Sequence, residues 1–234
     1  MYMSTWVSFL MAVIPAIFLV WYFCRLAKNK TESKALIIKI FLIGILSIVP
    51  VCTLEIIISR LNLYYNWSKF YFYFFEAFIV AGLCEEYIKL AIIKIFVYNS
   101  PRFQKIIDGI IFTIVASLGF ACIENIMYVI QNSFETAVVR GITAVPLHAV
   151  ASGTMGYYIG LAKFSIDKKE EQRLINIGLW QAIFIHGLYN FLILISPLFG
   201  SLYAAFVIPL LIYIYFKLKA KIHMAVELDQ SLRS

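Results

Sequence analysis

The chain has 234 residues, 62% of them hydrophobic and only 14% charged. A soluble domain of this size cannot hide that much apolar surface, so the chain reads as an integral membrane protein whose first partner is the lipid bilayer. The net charge of +7 sits mostly in short clusters beside apolar runs, which reads as topology, and no nucleic-acid partner is expected.

The apolar runs are ~20 residues long and lack period-2 alternation, which fits transmembrane helices and not a β-barrel. The fold class is therefore all-α, a polytopic transmembrane helical bundle of about seven spans. In chain order the spans are 5–24, 36–58, 72–97, 107–130, 137–162, 174–196 and 202–218. The first lacks a basic leader and reads as an uncleaved span. The stretch 25–39 carries Arg25, Lys28, Lys30, Lys34 and Lys39, whereas 59–71 carries only Arg60 and Lys69. Residues 98–106 are basic again, "QNSFET" (131–136) has no Lys or Arg, 163–173 is basic, and "SPLFGS" (196–201) has none. With Lys217, Lys219 and Lys221 near the end, this alternation predicts an outside N-terminus and a cytoplasmic C-terminus. "NLYYNWSKFYFYF" (62–74) reads as an aromatic belt at the outer interface, and "NWS" (66–68) within it is a formal glycosylation sequon. The last residues, "ELDQSLRS", read as a short polar tail. The whole chain, 1–234, reads as one membrane domain, with a motif-bearing core at about 76–196 and accessory spans 5–24, 36–58 and 202–218.

The four cysteines, Cys24, Cys52, Cys84 and Cys122, show no metal-site spacing and imply no disulfide framework. The informative residues are the ionisable ones inside spans, where a charge is costly unless it is partnered. They are Glu85 and Glu86 in "AGLCEEYIKL", then Glu124, His148 and His186. Glu55 and Glu76 lie nearer the outer interface, where a carboxylate can reach water. At ~1.5 Å per residue, Glu124 lies ~10 Å below the outer loop, His148 ~16 Å and His186 ~15 Å, and Glu85 lies ~14–22 Å from its entry point. Four helices thus bring ionisable groups to a similar level in the outer half of the membrane.

Lys89 is four residues from Glu85 and three from Glu86, so it can pair with either. Two carboxylates this close do not both ionise cheaply in low dielectric, and Lys89 moderates that cost. Thr113, Ser117 and Glu124 fall on one stripe, with Asn125 adjacent and Tyr128 one turn on. His148 and Ser152 share a face, as do His186 and Asn190. Pro146 is expected to kink the helix near 142–146, and Gly156 with Gly160 forms a close-packing face. A lone membrane histidine is as readily an interhelical hydrogen-bonding residue, and a lone Glu124 a packing acid. The paired acids add cost without packing benefit, which favours function.

Such a set suits water activation, with a glutamate as general base and a histidine or asparagine donating to a developing oxyanion. Glu86, Glu124, His148 and His186 can also ligate a zinc ion, although H-E-x-x-H is absent. Buried acids and histidines also build proton relays, so a proton-coupled transporter or channel is the competing reading. The chain is short and shows no inverted repeat, which weighs against it.

The blocks "CEEYIKL" (84–90), "DGIIFTIVASLGFACIENIMYVI" (108–130), "HAVASGTMGYYIGLAK" (148–163) and "HGLYNFLIL" (186–194) resemble, in order and spacing, the four motif blocks of the PrsW family. These are intramembrane proteases related to the CAAX-type prenyl-protein endopeptidases and bacteriocin-processing membrane proteases. The resemblance implies catalytic roles for Glu85, Glu86, Glu124, His148 and His186, with Lys89, Asn125 and Asn190 supporting. It also implies a single-span membrane protein substrate of the anti-sigma factor type, and the bacterial cell membrane as the location. The last block is usually H-G-x-x-D. Asn190 stands in the acid's place and cannot ionise, which keeps a catalytically inactive, substrate-binding regulator as a further reading.

Overall fold

The structure, a computed structural model, describes residues 5–26, 34–65, 67–131, 134–200 and 202–231. The sequon's Asn66, the loop residues Lys28 and Lys30, parts of "QNSFET" and "SPLFGS", and residues 232–234 of the polar tail lie outside these.

Among the described residues the chain is helical with short connections. The first helices are α1 (Thr5–Leu26), α2 (Lys34–Leu46), α3 (Ile48–Tyr64) and α4 (Lys69–Phe75). A π-helical segment (Glu76–Leu83) joins α4 directly to α5 (Cys84–Phe96). Then follow α6 (Ile106–Gln131), α7 (Phe134–Ile142), α8 (Ala144–Lys163), α9 (Lys168–Phe199), α10 (Leu202–Ala205) and α11 (Val207–Ser231).

Five helices among the described residues are long and apolar enough to cross a membrane: Phe9–Leu26, Lys34–Tyr64, Ile106–Gln131, Lys168–Phe199 and Leu202–Ser231. The other two expected spans coincide with Lys69–Phe96 and with α7–α8. Both carry ionisable site residues, and those residues lower their apolarity.

Helix α6 is the axis of the bundle. It is buried along most of its length and packs against α1, α2, α8 and α11. Glycines permit its closest approach, to α8. A Cβ on Gly109 would lie 2.5 Å from the Gly156 carbonyl oxygen and 2.7 Å from the Gly160 amide nitrogen. The Gly156/Gly160 face therefore does bring two helix backbones together, as a small-xxx-small pattern does in membranes.

The helix breaks follow proline chemistry. Pro146 sits in the first turn of α8, just after the break at Thr143. Its missing N–H leaves the Ile142 carbonyl without the usual partner, which accounts for a break where a kink was expected. Pro50 does the same beside the turn at Ser47, whose hydroxyl bonds the Gly44 carbonyl at 2.6 Å. The C-terminal end departs from expectation. Helix α11 runs past the expected span end at 218 and continues to Ser231, into the stretch 227–234 expected as a polar tail. Asp229 is buried there, and its carboxylate accepts from the amides of Ile106 at 2.7 Å and Ile107 at 3.1 Å. An acid on the free N–H groups of a helix start satisfies donors that have no intrahelical partner.

Candidate active site

The site begins in the π-helical segment. Its i→i+5 pattern changes the facing of everything after it, so α5 presents Glu85, Glu86 and Lys89 together to the interior. All three are buried, Glu86 and Lys89 completely. Helix α9 lies hard against this segment. A Cβ on Gly187 would collide with the Phe78 ring, and one on Gly82 would lie 3.2 Å from the Ile183 carbonyl oxygen. That fit brings His186, the neighbour of Gly187, to the acids of α5.

Lys89 is the hub. Its Nζ donates to Glu86 Oε1 at 2.8 Å, to Glu85 Oε2 at 3.0 Å and to His148 Nδ1 at 3.0 Å. Nζ also lies 4.8 Å from the centroid of the Phe120 ring. Glu86 is saturated. Oε1 also takes His186 Nδ1 at 3.0 Å, and Oε2 accepts from the Ser152 hydroxyl at 2.7 Å. Glu85 is not saturated. Its Oε2 is held by Lys89, whereas Oε1 lies 3.7 Å from His186 Nε2 and has no hydrogen-bond partner among the described residues.

His148 bridges two shells of the site. With Nδ1 accepting from Lys89, Nε2 carries the proton and donates to Glu124 Oε2 at 3.0 Å. Glu124 is paired in turn with Arg140 of α7 at 2.8 Å. Arg140 Nε donates to Asn125 Oδ1 at 3.3 Å, and its guanidinium lies 3.7 Å from the centroid of the Tyr128 ring. Below, the Ser117 hydroxyl lies 2.9 Å from both the Ser152 hydroxyl, whose proton goes to Glu86, and the His148 carbonyl, and its own single proton serves one of these two acceptors. The rings of His148 and His186 stand edge to face with centroids 5.0 Å apart.

The structure thus brings Glu85, Glu86, Lys89, His148 and His186 into mutual contact, with Glu124 one hydrogen bond behind His148. Asn125 does not face this cluster. Its amide donates to the Ala12 carbonyl at 3.2 Å and it steers Arg140. Asn190 makes no hydrogen bond to His186 among the described residues, because the imidazole is turned toward Glu86 and Glu85. Arg140 is the site residue that sequence reading missed. A lone arginine inside the apolar run 137–162 was the available signal.

The donor chemistry suits a metal. Glu85, Glu86, His148 and His186 each offer one ligand atom, all within 4.8 Å of one another. Two imidazole nitrogens with carboxylate oxygens is a zinc-type set. His148 has the further feature of zinc-ligating histidines, its second nitrogen donating to a carboxylate. Glu124, expected among the ligands, supplies that carboxylate, and Glu85 stands in the converging set instead.

Acids and histidines converging inside an apolar helical bundle define a membrane-embedded centre able to activate water or hold a metal. A family model described as "PrsW family intramembrane metalloprotease" matches residues 32–215. Curated proteins named "Protease PrsW" match most of the chain. That of Geobacillus kaustophilus (strain HTA426) is 31% identical over 202 residues, 85% of this chain and 84% of its own. That of Oceanobacillus iheyensis is 32% identical over 207 residues, 88% and 92%. That of Halalkalibacterium halodurans is 30% identical over 219 residues, 94% and 97%. No solved structure matches significantly. The chain belongs to the PrsW family of intramembrane metalloproteases, and it is a membrane protease.

Proposed function

We propose that this protein hydrolyses a peptide bond of a membrane-anchored protein, with Glu85 as general base. The supporting observation is the asymmetry of the two acids. Glu86 has both oxygens committed, to Lys89, His186 and Ser152, whereas Oε1 of Glu85 has no hydrogen-bond partner among the described residues. A base needs an oxygen free to take the proton of water, and a saturated carboxylate is better suited to holding other groups in place.

Glu86, His148 and His186 would hold a zinc ion, which when bound polarises the scissile carbonyl and lowers the pKa of water. Glu124, anchored by Arg140, fixes His148 with Nδ1 directed inward, and Ser152 fixes Glu86. Lys89 neutralises the paired acids while the site is at rest. Glu85 takes the proton from water as the water attacks, then returns it to the leaving amine. With Nδ1 donating to Glu86, His186 Nε2, 3.7 Å from Glu85, carries the lone pair that would hold the metal.

Seven spans follow when Lys69–Phe96 and α7–α8 cross the membrane with the five apolar helices. The basic loops then set the N-terminus outside and the C-terminus in the cytoplasm. The site falls in the outer half of the bilayer. That depth suits a single-span substrate of the anti-sigma factor type, cut near its outer side in a bacterial cell membrane during regulated proteolysis. The test is cleavage of a single-span substrate in proteoliposomes, with zinc content measured in parallel. Chelation should abolish the peptide products, and Zn²⁺ should restore them. Full cleavage by metal-free protein overturns the metal-assisted form. Proton-coupled solute flux with no peptide product overturns the protease reading itself.

A further inference from the structure

Lys89 stands where a cation belongs. Its Nζ is surrounded by Glu85 Oε2, Glu86 Oε1 and His148 Nδ1 at 3.0, 2.8 and 3.0 Å. An ammonium has three N–H donors and no acceptor, so these three contacts satisfy it fully. Two of the three oxygen and nitrogen atoms belong to the residues that would ligate zinc. A zinc ion held by Glu86 and His148 would draw on the same lone pairs that Lys89 now occupies, and zinc takes such atoms at ~2.0–2.2 Å. A hydrogen-bonded ammonium cannot remain on the same atoms at that separation. Charge repulsion and the loss of its acceptors both drive it away. The Phe120 ring lies beside these contacts, 4.8 Å from Nζ to its centroid, and adds a π face to the ammonium's surroundings.

We propose that Lys89 is a tethered counter-cation that competes with the metal for the same donor atoms, so that loading the site requires the ammonium to leave. The proposal rests on the metal-assisted reading above. In the metal-free protein Lys89 keeps two buried acids and His148 in ligand-ready positions. On loading, its flexible four-carbon stem carries the charge off the ligands. The lysine thereby holds metal affinity below what the donor set alone would give, and it makes the site a gated one.

The decisive readout is metal affinity, because a merely structural lysine would weaken metal binding when removed. Full-length wild type, Lys89→Met and the charge-balanced double variant Glu85→Gln/Lys89→Met are purified in detergent. Each is titrated with Zn²⁺ against a chromophoric chelator, and thermal unfolding is followed with and without Zn²⁺. Lys89→Met should bind one Zn²⁺ about tenfold or more tightly than wild type. It should unfold at lower temperature than wild type without metal and gain more from Zn²⁺. The double variant keeps Glu86, His148 and His186 and loses one charge of each sign, so it remains informative if the single variant fails to fold. It too should bind more tightly than wild type. If wild type binds Zn²⁺ and both variants bind equally or more weakly, the competition is refuted while the metal site stands. If none of the three binds a divalent cation, the metal-assisted reading falls and this proposal with it.

Discussion

Replacing Arg140 with methionine tests whether the support behind His148 matters. Methionine keeps the aliphatic stem and deletes the guanidinium, with its charge and its contact with the Tyr128 ring. The ion pair to Glu124 is 2.8 Å long, with both side chains 17% exposed, so solvent screens it only in part. A hydrogen bond to a charged group at such a site contributes about 1.5–3 kcal/mol, less than the loss expected for a fully buried pair. For a chain of this size that lowers the unfolding midpoint by on the order of 5 °C. The effect on cleavage should be larger than on stability. Without Arg140 the Glu124 carboxylate loses its partner and no longer holds the His148 Nε2 proton firmly. Losing an outer-shell partner of this kind typically lowers metal affinity or activity about 10–100-fold. Peptide-product formation in proteoliposomes reads the second effect and thermal unfolding the first. Arg140→Lys should recover part of the loss, since it keeps the charge but not the bond to Asn125. In a double-mutant cycle with Glu124→Gln the losses should fail to add. Arg140→Met cleaving at the wild-type rate would refute the role assigned to the Glu124–His148 pair.

Two further outcomes follow from packing. Gly109→Ala places a methyl 2.5 Å from the Gly156 carbonyl oxygen. Backbone cannot swing aside there as a side chain can, so α6 and α8 must separate, at about 1–3 kcal/mol. Thermal unfolding should fall accordingly, with cleavage impaired because Ser117 and Ser152 sit across the same interface. Asp229→Ala removes the acceptor for the Ile106 and Ile107 amides and should destabilise by about 1–2 kcal/mol. Cleavage per folded molecule should be unchanged, because Asp229 contacts nothing in the site.

The site was largely legible in the sequence because a membrane penalises charge. Glu85, Glu86, Glu124, His148 and His186 stand out in apolar runs, and counting residues from the loops placed them at one level. Proline marked the break before α8, and Gly156/Gly160 marked its tight face. Other features depend on contacts that no local pattern announces. "EAFIVAGL" is ordinary helix-forming sequence, and its π-helical register accompanies close packing against α9 around Gly82 and Gly187. Arg140 lies near a span end, where a basic residue looks like a topology signal, and only the fold sets it against Glu124. The helical continuation to Ser231 is likewise tertiary, with Asp229 finding its partners more than a hundred residues away in sequence. Asn125 and Asn190 show the opposite case. Helical spacing put Asn125 beside the glutamate stripe and Asn190 on the histidine face, yet their side chains do not engage the central acids.

The most direct measurement compares wild type, Glu85→Gln and Glu86→Gln in proteoliposomes with a single-span substrate, reading product formation by mass spectrometry. Glu85→Gln should cleave about 10²–10⁴-fold more slowly, the range for loss of a general base, while still binding metal. Glu86→Gln should lose both cleavage and metal. Cleavage at the wild-type rate by both variants would contradict a carboxylate-activated water at this site.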